Sequence, residues 1–154
     1  MSRAFVREDD QGGDALPDRV ISEHPNFVTP AGLAQLKLRV HALDAELGVA
    51  REAGDRDAIA QIGRDLRYFS ARRGSARVVA VEPRPEVVRF GVQVVLRLAD
   101  GSLRRLRLVG EDEADPTAGL LSYVSPLAQS LLGLAPGDAL PFAGSEARIE
   151  ALEA

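Results

Sequence analysis

The sequence predicts an α+β fold in two parts, an antiparallel helical hairpin followed by a small antiparallel sheet covered by one helix. Three observations carry this expectation. Apolar residues recur at spacings of three and four from Leu33 to Phe69, with one break at Ala53-Gly54-Asp55. After Gly74 the pattern changes to short runs rich in Val and Leu, and a single helical stretch opens at Ser125-Pro126. At 154 residues, 45% hydrophobic and 27% charged, the chain is long enough for one ordinary core with an appendage.

Residues 1–28 mix charge with Gly12-Gly13, Pro17 and Pro25 and show neither structural period, so they read as an irregular arm. Thr29-Pro30 then supplies an N-cap and a proline at the first helical position, where a missing N–H costs nothing. Leu33, Leu36, Val40, Leu43, Leu47 and Ala50 form a narrow heptad seam. A second seam follows the break, at Ile59, Ile62, Leu66 and Phe69. Two stripes of similar length around a short Gly-containing turn predict an antiparallel coiled-coil hairpin over residues 29–75. The competing expectation is that both helices pack onto the remaining domain as core, which usually requires a wider apolar face.

Residues 76–154 form the second part. Strands are expected at Val78 to Val81, Val87 to Phe90, Val92 to Leu98 and Leu103 to Val109, with Asp100-Gly101 as the turn between the last two. In that pair Leu96, Leu98, Leu106 and Leu108 alternate with Arg97, Arg105 and Arg107, giving an apolar and a cationic face. Ser125 caps the helix, Leu127 and Leu131 face inward and Gly133 ends it; Ala139 to Phe142 and Arg148 to Leu152 close the sheet.

Composition removes several kinds of chemistry. The stretch GEDEADP, Gly110 to Pro116, spells a familiar ATPase motif, but no GxxxxGK[ST] loop accompanies it and a helicase core would not fit in this length. There are no cysteines, and His24 and His41 are the only histidines, so thiol chemistry is excluded and a His-based metal site or hydrolytic triad is disfavoured. A net charge of −4 argues against bulk electrostatic attachment to nucleic acid. No apolar run approaches the roughly 20 residues that span a bilayer, and the first residues lack the apolar stretch of a secretion signal, so no membrane partner and a cytoplasmic location are expected.

Three stretches align in order with a known family: VTPAGLAQLKLRV (28–40), AREAGDR (50–56) and VGEDEADPTAGLLSYVSPLAQSLLGLAPGDAL (109–140). Together they resemble the Gre transcript-cleavage factors, GreA and GreB, across roughly residues 28 to 153. The last stretch is the most specific, with Ser122, Ser125-Pro126-Leu127-Ala128, Leu131-Leu132-Gly133 and Gly137-Asp138 on the family's C-terminal signature. The resemblance implies a coiled coil that enters the secondary channel of RNA polymerase and an FKBP-like domain that docks beside it. It also implies tip carboxylates that help hold a magnesium ion of the polymerase active centre, with no cofactor of the protein's own, so that backtracked RNA is cleaved. The nascent RNA would be met only within that complex, by a monomeric, non-enzymatic accessory factor.

Asp55 matches the family's first tip acid and is the expected metal-sharing residue, with Asp57 beside it. Asp55 after Gly54 also reads as a natural N-cap for the second helix. The family's second tip acid falls on Ala58, and each arm is roughly one heptad, about 10 Å, shorter than in the cleavage factors. Short coils occur in the related Rnk proteins, which bind polymerase without cleavage, and that is the alternative function. Docking is expected around Ser122, Ser125, Pro126, Leu127 and Gly133, with Asp112, Glu113 and Asp115 forming either a solvated acidic turn or part of the docking face. Arg51, Arg56, Arg64 and Arg67 are candidates for RNA or channel-wall contacts, against the simpler reading of a solvated helix face; Arg72, Arg73 and Arg77 continue the basic run. A prolyl isomerase reading of the same fold would need an aromatic pocket, for which this half offers only Phe90, Tyr123 and Phe142.

Overall fold

The computed structural model describes residues 16–154; of the expected arm, residues 1–15 lie outside the described residues. Two helices, α1 (Pro30–Ala53) and α2 (Arg56–Ser75), form the hairpin. A two-residue strand β1 (Phe27–Val28) precedes it and another, β2 (Arg77–Val78), follows it; the two pair in parallel, with Phe27 opposite Arg77, and close the hairpin at its base.

Helix α1 starts where the sequence dictates. The Thr29 hydroxyl accepts from the Gly32 N–H at 2.9 Å, and Pro30 occupies the first turn. Leu36, Val40, Leu43, Leu47 and Ala50 are all buried, which is the seam read from the spacing, while Ile59, Ile62, Leu66 and Phe69 on α2 are half-buried. Each buried leucine contributes on the order of 2 kcal/mol of apolar transfer, enough to hold two helices that share no other layer over most of their length. Gly54 ends α1 in the left-handed region at φ 65°, where its N–H reaches the Ala50 and Arg51 carbonyls.

The remaining strands are β3 (Gln93–Arg97), β4 (Leu103–Val109), β5 (Leu120–Ser122), β6 (Ala139–Phe142) and β7 (Ser145–Glu153), with α3 (Pro126–Leu131) between β5 and β6. They make one five-stranded sheet in the order β5-β4-β3-β7-β6. Val94, Leu96, Leu106, Leu108 and Ile149 on its inner face pack with Ala128 and Leu131 of α3. Arg97, on the other face, is held by Glu150 through two bonds of 2.8 and 2.9 Å, and Arg107 donates to the Gly91 carbonyl at 2.7 Å. Among the described residues no helix is long and apolar enough to cross a membrane.

Three strand expectations are corrected. The sheet is mixed, because β5 runs parallel to β4; three residues after a proline turn carry too little alternation to announce a strand. Val79 to Val81 and Val87 to Phe90 lie outside the sheet. Val88 is bound on both sides by the loop after α3, its N–H to the Leu134 carbonyl at 2.8 Å and its carbonyl to the Gly133 N–H at 2.9 Å. Its burial therefore reflects loop packing, which the β-branched pattern cannot distinguish from a strand.

Candidate functional site

The hairpin ends in a turn of only two residues, Gly54 and Asp55, and both are exposed. Asp55 caps α2: its Oδ1 accepts from the Ala58 N–H at 3.1 Å. Its Oδ2 has no hydrogen-bond donor among the described residues, so one carboxylate serves the helix and still offers a free oxygen. Asp57 stands exposed in the first turn of α2, where an acid favours the helix dipole. Arg51 and Arg56 flank the tip and are exposed. No group of three or more potential metal ligands exists among the described residues. One carboxylate with a free oxygen, such as Asp55, fits sharing an ion bound elsewhere, since magnesium is commonly held by one or two carboxylates plus phosphate and water.

The opposite end of the hairpin is a polar joint. Arg72 is 1% exposed, and its Nε donates to Asp112 Oδ2 at 2.5 Å while Nη2 lies 3.5 Å from Glu111 Oε2. Tyr68 donates to the other oxygen of Asp112 at 2.6 Å. The Thr29 hydroxyl, already accepting from Gly32, donates to Glu113 Oε2 at 2.6 Å. Burial works against charge on Arg72, but the hydrogen bond and charge of Asp112, with Tyr68 and Glu111, outweigh it and hold the guanidinium above its ordinary range. Burial first, then the hydrogen bond from Tyr68 to Asp112 and the charge of that carboxylate, push the Tyr68 phenol up to about 12. Tyr123 is also raised, by burial and then by the charge of Glu111.

While Asp115 is exposed, the acidic stretch from Glu111 to Glu113 is thus half-buried rather than a freely solvated turn. Its carboxylates turn inward to meet a cation and a cap on the hairpin. Gly110 is required beside them, because a Cβ there would run into the Phe27 carbonyl oxygen.

Asp115 lies apart from these. Its Oδ1 accepts from the Thr117 hydroxyl at 2.6 Å and N–H at 3.1 Å, capping a short 3-10 turn, Pro116–Ala118. The Thr117 side-chain hydrogen bond, partly opposed by desolvation, keeps the Asp115 carboxyl below its ordinary range. Ser122 follows on β5, an edge strand, and Ser125 Oγ accepts from the Ala128 N–H at 3.3 Å to cap α3. Pro126 and Gly133 are exposed, whereas Leu127 packs against the core. Asp115, Ser122, Ser125 and Pro126 therefore lie along one edge of the sheet, on consecutive elements.

The candidate RNA contacts on α2 are partly occupied. Arg67 donates to Asp18 of the arm at 2.6 Å, and Arg64 is half-buried with no partner for its Nε among the described residues. Arg19 lies 3.9 Å above the Tyr68 ring and 3.2 Å from Asp65. Residues 16–28 of the irregular arm bind the hairpin, and nothing in their composition announces it. Phe27 packs against Phe90 and Tyr123, with ring centroids 6.1 and 5.5 Å away, so two of the three aromatics needed for an isomerase pocket are already covered.

Residues 82–151 match the family model described as "Transcription elongation factor, GreA/GreB, C-term". Among curated proteins, the chain is similar to "Transcription elongation factor GreB" of Xanthomonas axonopodis pv. citri, 37% identical over 126 residues, covering 69% of this chain and 75% of that protein. It is 31% identical over 149 residues to GreB of Neisseria meningitidis serogroup A, with 84% and 91% covered. For GreA of Psychrobacter arcticus the identity is 33% over 144 residues, covering 80% and 87%. A solved GreA/GreB structure from Nitrosomonas europaea aligns at 23% identity over 83% of this chain and 98% of that one, with a TM-score of 0.40. With more than two thirds of its curated relatives covered at over 30% identity, the chain belongs to the GreA/GreB family of transcription elongation factors.

Proposed function

We propose that the chain binds RNA polymerase at its secondary channel and promotes the polymerase's own cleavage of backtracked RNA by bringing Asp55 to the active-centre magnesium. The observation that carries this reading is the free Asp55 Oδ2 at the end of a hairpin about 36 Å long at the usual helical rise. Bound there, the ion would supply Lewis acidity and an activated water. Asp55 would share the ion through its free carboxylate oxygen, while its Oδ1, held by the Ala58 N–H, orients the side chain in advance. Asp57, Arg51 and Arg56 surround the same point, and the edge from Asp115 to Pro126 is the proposed docking face.

A second reading is favoured by Ala58, which replaces the expected second acid, and by the short arms: the coil occupies the channel and regulates elongation without cleavage. The two separate in one assay, the release of short 3′ RNA fragments from a stalled, backtracked complex with magnesium present. Asp55→Asn is the informative variant, because asparagine caps a helix nearly as well as aspartate but removes the charge. Fragment release by the wild type and its loss in Asp55→Asn supports cleavage. Polymerase binding without fragment release by the wild type sinks that reading and leaves the channel-occupying one.

A further inference from the structure

We propose that Arg72, Asp112 and Tyr68 are positioning residues whose ionic joint sets the direction in which the hairpin points, and so where Asp55 arrives. This deepens the proposed function and rests on it only for the importance of Asp55. Three observations carry it. Beside the Phe27 contact with Phe90 and Tyr123, hairpin and sheet are tied by polar groups: Arg72 and Tyr68 on Asp112, Thr29 on Glu113, and Tyr123 donating to the Pro25 carbonyl at 2.5 Å. Hydrogen bonds of this kind fix angles, whereas apolar surfaces can slide.

Apolar packing at the joint is also incomplete. A cavity of about 260 Å³ separates Leu36 and Phe69 of the hairpin from Gly110 and Glu113. Close packing therefore does not define the angle there. Finally, the two-residue β1–β2 ladder closes the hairpin on itself and is separate from the five-stranded sheet. With no strand ladder joining hairpin to sheet, rotation is settled by the side chains at the joint.

The lever makes this matter. Over about 30 Å of helix, a swing of about 20° displaces the tip by roughly 10 Å, far more than a ligand to a metal tolerates. In some proteins buried polar and ionic groups fix one arrangement even where an apolar replacement would be equally stable.

The absence of cysteines makes the test direct. Spin labels at Ala53→Cys and Ser145→Cys, both exposed positions, report the tip-to-sheet distance distribution by pulsed electron resonance in the full chain. The wild-type joint is expected to give one narrow distribution. Replacing both charges of the tighter pair together, Arg72→Met with Asp112→Leu, leaves only the more exposed Glu111 without its cation and is expected to at least double the width of that distribution. A control pair within the hairpin, Ala34→Cys with Ala53→Cys, stays narrow if the fold is intact, and Tyr68→Phe alone gives a smaller broadening. An unchanged width in the double variant, or a wild type that is already broad, overturns the proposal. Because these distances are read without polymerase, a wild type with a narrow distribution but no transcript cleavage would reject the proposed function and leave the positioning role standing.

Discussion

The two ends of the hairpin are built on opposite principles. At the tip, Gly54 to Asp57 are exposed and, among the described residues, the Asp55 side chain makes one short-range hydrogen bond. At the base, Arg72 is fully enclosed and its acids come from 39 and 40 residues away in the chain. In the proposed function, the sparse contacts of the tip leave a carboxylate to act on something outside the molecule, and the dense contacts of the base give the tip a defined place. Binding chemistry and aiming are divided between the two ends of one element, and mutations should tell them apart.

The widest gap should come from removing one half of the buried ion pair. Arg72→Ala is expected to cost about 3–5 kcal/mol in a denaturant melt, because Asp112 loses its counter-charge in a poorly hydrated site. A loss below about 1 kcal/mol would mean that the base is no more demanding than the tip. Gly110→Ala should follow at about 1–3 kcal/mol, since the added methyl must displace the Phe27 backbone.

At the tip, Asp55→Ala should cost only about 1 kcal/mol, the value of a cap, and Asp55→Asn a few tenths. Circular dichroism melts measure both, and a larger loss would show that the tip carries structural load.

Alkaline pH offers a finer probe of the base. Tyr68 titrates near 12 in the folded chain against 10 for an exposed phenol, so the folded state holds its proton more tightly. Its contribution to stability is therefore complete below pH 10 and lost as pH rises from 10 to 12. In a Tyr123→Phe background, near-ultraviolet absorbance should show phenolate forming near 12, and Tyr68→Phe should flatten the fall in stability across that window. Phenolate appearing near 10 would show that Tyr68 is not bound to Asp112 in solution.

The smallest effect concerns neither end. Ala143, at φ 49°, and Gly144 make the two-residue turn between β6 and β7, a conformation that asparagine adopts more readily than alanine. Ala143→Asn should stabilise by about 0.5–1 kcal/mol, leaving both ends of the hairpin unaffected.

What could be read in advance follows the same division. The tip is local: Gly54 as a left-handed stop and Asp55 as a cap are properties of adjacent residues, and they were legible in the sequence. So were the start of α1 at Thr29-Pro30, the buried seam, the Asp100-Gly101 turn and the Ser125 cap. The base is non-local. Arg72 reads as one more charge in a basic run, because nothing near it reveals that Asp112 will be brought 2.5 Å away. The pairing of Phe27–Val28 with Arg77–Val78 and the seating of Asp18 on Arg67 were illegible for the same reason. Short parallel β5 escaped because its ladder is made with β4, across an intervening turn.

The two-residue turn at Gly54-Asp55 has a consequence for how such a coil can change size. With no slack in the connection, seven residues added to one arm alone would have nothing to pair with and would slip every later seam residue against its partner. Length can change only by matched insertions in both arms, about 10 Å at a time for each heptad. Reach is therefore a stepped property, and a coil of this kind is a ruler with coarse divisions.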